Sequence, residues 1–134
     1  MRIEDLLIAQ ARHRPGAVVC KIGTHTVTYG NLEQRSKQLS AGLFAEGLSE
    51  GDRVVVALHN GPELLEAMFA TARSNLVMVP VNPASSVFEL RHILSDSNAR
   101  ALILHASKIS AADLSVLSAD TLLVVEVDDE ADNG

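Results

Sequence analysis

Proton transfer, nucleophilic attack and metal binding could fall in this sequence to five histidines, one cysteine and seventeen carboxylates. His13, His25, His59, His92 and His105 never stand four apart, the spacing that puts two imidazoles on one helical face for a metal ion. A metalloenzyme is therefore not expected. His59 is the most suggestive of the five, because it closes the apolar run Val54 to Leu58 beside Asn60 and Gly61. Ligands of open α/β sheets gather outside the carboxyl ends of strands. The same reasoning selects the loops Asn82 to Ser86 and His105 to Lys108. A polar loop position nevertheless accounts for His59 without any functional role. Cys20, beside Val18 and Val19, reads as a small buried hydrophobe in a strand. A reactive thiolate wants a helix N-terminus or an adjacent cation, and Lys21 alternates to the opposite face.

Phosphate chemistry needs closely spaced glycines, so that backbone N–H groups can approach the anion at a helix N-terminus. Gly16, Gly23, Gly30, Gly42, Gly47, Gly51 and Gly61 are scattered and form neither the dinucleotide fingerprint nor the pattern ending in Gly-Lys-Ser/Thr. They read as turn, cap and packing positions. There is no Gly-x-Ser-x-Gly elbow for a hydrolase nucleophile. A phosphoacceptor receiver would need an acidic pair after its first strand and an aspartate after a central one. Leu58-His59-Asn60 and Val79-Pro80-Val81 supply neither. No residue is assigned a catalytic, cofactor-binding or metal-ligating role.

The elements that would position any site are easier to read. Four apolar runs, Val54 to Leu58, Leu76 to Val79, Ala101 to Leu104 and Leu122 to Val125, are continuous rather than alternating, which predicts strands covered on both faces. Between the first two, Leu64, Leu65, Met68, Phe69 and Ala72 form one helical stripe. Asn60 and Pro62 suit its cap and first turn, and Asn75 suits its left-handed close. Ser86 with Glu89 makes a capping box before Leu90, Ile93 and Leu94, and Ser110 with Asp113 opens a short helix through Leu117. From residue 52 onward the order is β-α-β-α-β-α-β, which predicts the α/β class with a parallel sheet. Upstream, a helix over residues 3–13 precedes a hairpin in which Ala17 to Ile22 and His25 to Thr28 flank Gly23-Thr24. Thr28 then caps a helix carrying Leu32, Ser36, Leu39 and Leu43, which stops near Gly47.

At 134 residues the chain is one ordinary domain. With 47% hydrophobic and 21% charged residues it is neither a disordered polymer nor a basic nucleic-acid binder. No apolar run approaches the roughly 20 residues of a membrane span. The acidic N-terminus lacks a secretory signal's hydrophobic region, so the cytoplasm is the expected compartment. One thiol cannot form an internal disulfide. Of the seventeen acids, five fall in the last nine positions, leaving a body nearly balanced against eleven Lys and Arg. Residues 1–125 are expected to form one unit and 126–134 an acidic tail or linker.

An ordered series of blocks says more. Thr28-Tyr29-Gly30-Asn31-Leu32, Leu39-Ser40-Ala41-Gly42-Leu43, Gly47-Leu48-Ser49-Glu50-Gly51-Asp52-Arg53-Val54, Leu58-His59-Asn60, Val79-Pro80-Val81-Asn82-Pro83 and Glu89-Leu90 with Ile93 to Ser97 follow one another. Together they resemble the N-terminal region of the adenylate-forming (AMP-binding) superfamily, with fatty-acid and aryl acyl-CoA synthetases the nearest likeness. Asn75 stands where that family usually has glycine, and Asn31 where it commonly has glutamate. The resemblance implies a parent that joins a carboxylate to AMP, releases pyrophosphate and passes the acyl group to the thiol of coenzyme A or of a carrier. It therefore implies ATP, Mg and coenzyme A for a full-length enzyme, and none bound by this chain. The family's phosphate loop, ribose-binding acid and catalytic lysine match no segment here. The chain is expected to be inactive alone, with the remainder of the ligase as its partner. Rival readings are a stand-alone interaction module using an exposed apolar face, and a small-nucleotide binder at the rim loops. An uncovered apolar face also predicts a possible homodimer. No nucleic acid and no membrane span are expected.

Overall fold

The structure is a computed structural model and describes residues 3–22 and 24–127. Helix α1 (Ile3–His13) leads into an antiparallel hairpin of β1 (Val18–Ile22) and β2 (His25–Thr28), with Ile22 opposite His25. Gly23, expected in the turn, lies outside the described residues. Thr28 has extended backbone and its Oγ1 accepts the N–H of Asn31 at 3.2 Å, which starts α2 (Tyr29–Ala45) as the sequence predicts. Gly47, with φ +107°, turns the chain out of that helix. The four remaining strands are β3 (Arg53–Ala57), β4 (Val77–Pro80), β5 (Ala101–His105) and β6 (Leu123–Val127). The helices between them are α3 (Pro62–Arg73), α4 (Val87–Ser97) and α5 (Ala111–Asp120).

Strands β4-β3-β5-β6 lie in that order and all pair in parallel. The chain steps from β3 outward to β4, then crosses back over β3 to β5. The order therefore reverses between β3 and β5. Period-two alternation sends Val54, Val56, Ala101 and Ile103 to one face, where they pack with Leu43, Leu48 and Ala67 of the α2 and α3 side. Val55, Ala57, Leu102 and Leu104 face Leu90, Leu94 and Leu117 from α4 and α5. A third cluster joins α1, the hairpin and α2 through Leu7, Val27 and Leu32.

Helices α2 and α3 are tied as well as packed. Arg73, in the last turn of α3, pairs with Glu33 at 2.8 Å and donates to the Glu33 carbonyl and Ser36 Oγ, both at 3.2 Å. This explains a polar residue, Ser36, on the buried stripe. A second tie joins the hydroxyls of Ser40 and Ser74.

Four expectations need correction. Full coverage holds for β3 and β5, but β4 and β6 are sheet edges and stay partly exposed. The last strand runs through Val127, so Glu126 belongs to the sheet rather than to the tail drawn at 126–134, and residues 128–134 lie outside the described set. The cap of α3 is Gly61 rather than Asn60, and it makes no side-chain bond; Pro62 at the first helical position has no N–H to satisfy. Helix α5 continues three residues past Leu117 to Asp120, whose carboxylate holds Arg91 of α4 at 2.7 Å. Asn75 does take the left-handed conformation, with φ 55°, and Asn98 closes α4 in the same way with φ 57°.

Candidate functional site

The carboxyl rim of the sheet is where an open parallel sheet offers a crevice, and the crevice belongs where the strand order reverses. Here that is the gap between the ends of β3 and β5. Sequence reasoning marks His59 and His105 separately as rim residues, and the structure brings them together. Their rings stack with centroids 4.8 Å apart and planes 25° from parallel. The backbone N–H of His59 donates to His105 Nε2 at 3.0 Å. His105 is buried, while His59 is exposed. The bond assigns a clear task to His105: it holds the chain as it leaves β3, and for this Nε2 must act as an acceptor.

On the α4 and α5 side of the same rim lies a cavity of about 290 Å³, lined by Pro83, Ser85, Ser86, His105, Ile109 and Asp113 among others. The loop from Asn82 is shaped locally, for Asn82 Oδ1 accepts the N–H of Ala84 at 2.8 Å. Ser86 Oγ accepts the N–H of Glu89 at 3.1 Å, and the Glu89 carboxylate accepts the N–H of Ser86 at 2.9 Å, completing the capping box read from the sequence. At the neighbouring helix Ser110 Oγ accepts the N–H of Asp113 at 3.1 Å. The polar groups of the rim are thus largely engaged in holding their own loops.

The bond from the Ser86 backbone, then that from its side chain, holds the Glu89 carboxyl below its ordinary pKa. A carboxyl with a lowered folded pKa adds stability that is complete above the unfolded carboxylate pKa and is lost as pH falls through the folded one. Glu89→Gln should therefore be less stable than the parent near neutral pH, with the gap shrinking on acidification. Urea unfolding of both proteins across that range checks it, and a gap independent of pH contradicts it.

Other sequence candidates stay apart. Cys20 is half-buried in the third cluster, packed against Leu7, Val27 and Leu32, and Lys21 is exposed. His13 and His92 are exposed on α1 and α4, and neither lines the rim cavity. Among the described residues no three His, Cys, Asp or Glu side chains gather as a metal site. No described helix is long and apolar enough to cross a membrane. The residues that line the rim cavity include one carboxylate, Asp113, and among those described no lysine or arginine. What sequence reasoning missed is the pairing of His59 with His105. Its only sequence signal was that both close an apolar strand.

Comparison with known proteins gives this arrangement its context. A model of the family described as AMP-binding enzyme matches residues 7–133. Feruloyl-CoA synthase of an Amycolatopsis species is 38% identical over 107 residues, which is 78% of this chain and 22% of that protein. The structure of VinN in complex with 3-methylaspartate superposes with a TM-score of 0.80 at 28% identity, covering 94% of this chain and 34% of VinN. A benzoate CoA ligase from Burkholderia xenovorans shares the fold, with a TM-score of 0.80 at 22% identity over 95% of this chain and 26% of its own. This chain thus spans about a fifth to a third of these proteins, and on the strength of a match along nearly its whole length it belongs to the adenylate-forming AMP-binding enzyme family, as that family's N-terminal region.

Proposed function

We propose that this chain is the N-terminal scaffold layer of an AMP-forming acid–thiol ligase of the acyl-CoA synthetase type, working in the cytoplasm. The parent reaction joins a carboxylate to AMP from Mg-ATP with release of pyrophosphate, then transfers the acyl group to the thiol of coenzyme A. An aromatic or fatty carboxylate is the substrate class, by likeness to the feruloyl-CoA synthase. In this reading the 134 residues do no chemistry themselves. They present one face of a parallel sheet and its rim loops to the rest of the ligase, which holds nucleotide, acid and thiol.

One observation carries the reading: the family match runs along nearly the whole chain, yet the chain spans only 22% of the feruloyl-CoA synthase. The rim chemistry supports it. Adenylation needs cations and hydrogen-bond donors at the charge that develops on the α-phosphate. At this rim His105 and the two capping serines hold backbone N–H groups. Carboxylate-dependent exchange of labelled pyrophosphate into ATP tests the reading. The purified chain should give the rate of a buffer blank with ferulate, benzoate and a medium-chain fatty acid. Turnover well above that blank, surviving repurification, would overturn it.

A further inference from the structure

The rim loop after β3 carries Asn60 followed by Gly61, and an asparagine in that position is open to attack on its side-chain amide by the backbone nitrogen of the next residue. Two things ordinarily guard against the attack: a side chain on the following residue, which crowds the approach, and a hydrogen bond that occupies its N–H. Gly61 supplies neither. It has no Cβ, its backbone is extended with φ −179° and ψ 177°, and among the described residues its N–H has no acceptor. Asn60 itself is exposed. The other described asparagines are guarded. After Asn75 the N–H of Leu76 donates to the Thr71 carbonyl at 2.9 Å, and after Asn98 the N–H of Ala99 donates to the Leu94 carbonyl at 3.2 Å. Leu32 follows Asn31 inside α2, and Pro83, which follows Asn82, has no N–H to lose.

We propose that Asn60 is a site of spontaneous deamidation, a slow self-modification at the carboxyl rim of the sheet. The Gly61 nitrogen gives up its proton to solvent and bonds to Asn60 Cγ. The Cγ–Nδ2 bond breaks, and the leaving nitrogen takes up a proton and departs as ammonia. Water then opens the five-membered imide at one of its two carbonyls. Opening at Cγ gives aspartate, and opening at the backbone carbonyl gives isoaspartate, in which the chain runs through the side chain. Either way one water is consumed and one ammonia released, and no oxidant or cofactor takes part. Both products place a negative charge one residue before Gly61, the cap of α3. A helix N-terminus favours such a charge, so the aspartyl product keeps the start of α3. The isoaspartyl product instead lengthens the backbone by a methylene between His59 and Gly61. Since the His59 N–H is held by His105 Nε2 at 3.0 Å, that product shifts the entry to α3 or breaks this bond.

Incubation of the purified chain at mildly alkaline pH, where the amide proton is lost more readily, followed by peptide mapping with mass detection, tests the proposal. The peptide holding Asn60 should divide into the parent and two separable products of equal mass, raised by the exchange of an NH2 for an OH. Its rate should approach that of the same chain unfolded in guanidinium chloride, while peptides holding Asn75 and Asn98 stay unchanged over the same period. Asn133, which also precedes a glycine, is read on a separate peptide. Gly61→Ala should slow the conversion several-fold and keep its melting profile, because the extended backbone accepts a side chain and the added Cβ would come no closer than 3.4 Å to Glu63 Oε2. Asn60→Asp should melt no lower than the parent. Asn60 left intact in the folded chain while the unfolded chain converts overturns the proposal. So does equal conversion at Asn75 or Asn98, or a Gly61→Ala chain that converts as fast as the parent. These outcomes are independent of the exchange assay, which bears on the catalytic reading alone.

Discussion

Leu102→Ala is expected to lower the stability of the whole domain by about 2–5 kcal/mol, the range for emptying a fully buried leucine site. Leu102 sits in β5, inside the sheet, with no solvent exposure, and it packs against Leu90, Leu94 and Leu117 from both crossover helices of that face. Neighbouring backbone is held by β3 on one side and β6 on the other, so the cavity cannot readily collapse. The loss is a large part of the roughly 5–15 kcal/mol that a domain of this kind has in hand. Urea unfolding followed by circular dichroism and by amide exchange should move together, because β5 belongs to the shared core. A midpoint unchanged within error would mean that the sheet is not the stabilising centre of the molecule.

Leu32→Ala should remove a similar amount, about 2–5 kcal/mol, but from a different cooperative unit. Leu32 is 1% exposed and joins Leu7 and Val27 in the cluster that fastens α1 and the hairpin onto α2. The attachment has a backbone component too. Gly30 N–H donates to the Pro15 carbonyl at 2.9 Å, and a Cβ at Gly30 would stand 3.0 Å from that same oxygen. Removing the leucine should loosen this joint first. Amides of α1, β1 and β2 should exchange far faster in the variant, while those of β3 and β5 keep most of their protection. Equal loss of protection in both regions would show that the two clusters unfold as one.

What could be read from the sequence was mostly local. Ser86 and Glu89 are three residues apart, so their reciprocal cap is written in adjacent text and appears as expected. Thr28 at the start of α2 and Asn75 past the end of α3 belong to the same kind. The four apolar runs gave the strands and the βα alternation gave the parallel sheet, but nothing in them orders the strands. His59 and His105 are 46 positions apart and meet only because the crossover after β4 returns past β3. Glu126 misled for a physical reason: an edge strand tolerates a charge on its exposed face, so charge alone did not mark the end of the sheet. The candidate site followed the same division. The rim loops could be placed from the rule for parallel sheets, whereas the histidine bond that shapes them depends on long-range pairing. Family membership came from ordered blocks along the chain, and these are scaffold positions, so they carry the fold much further than any reactive group.

On the proposal that nucleotide, acid and thiol are held by the rest of the ligase, this stretch of polypeptide should bind no nucleotide, and isothermal titration of the purified chain with Mg-ATP, in the presence and absence of ferulate, tests that most directly. A real site filled to a hundredfold over its dissociation constant would stabilise the fold by about 2.7 kcal/mol, so binding of that order would also raise the melting temperature. Heats indistinguishable from dilution and an unmoved melting temperature are expected. Saturable heat with one nucleotide per chain, abolished by changing His105 or Ser86, would contradict that proposal.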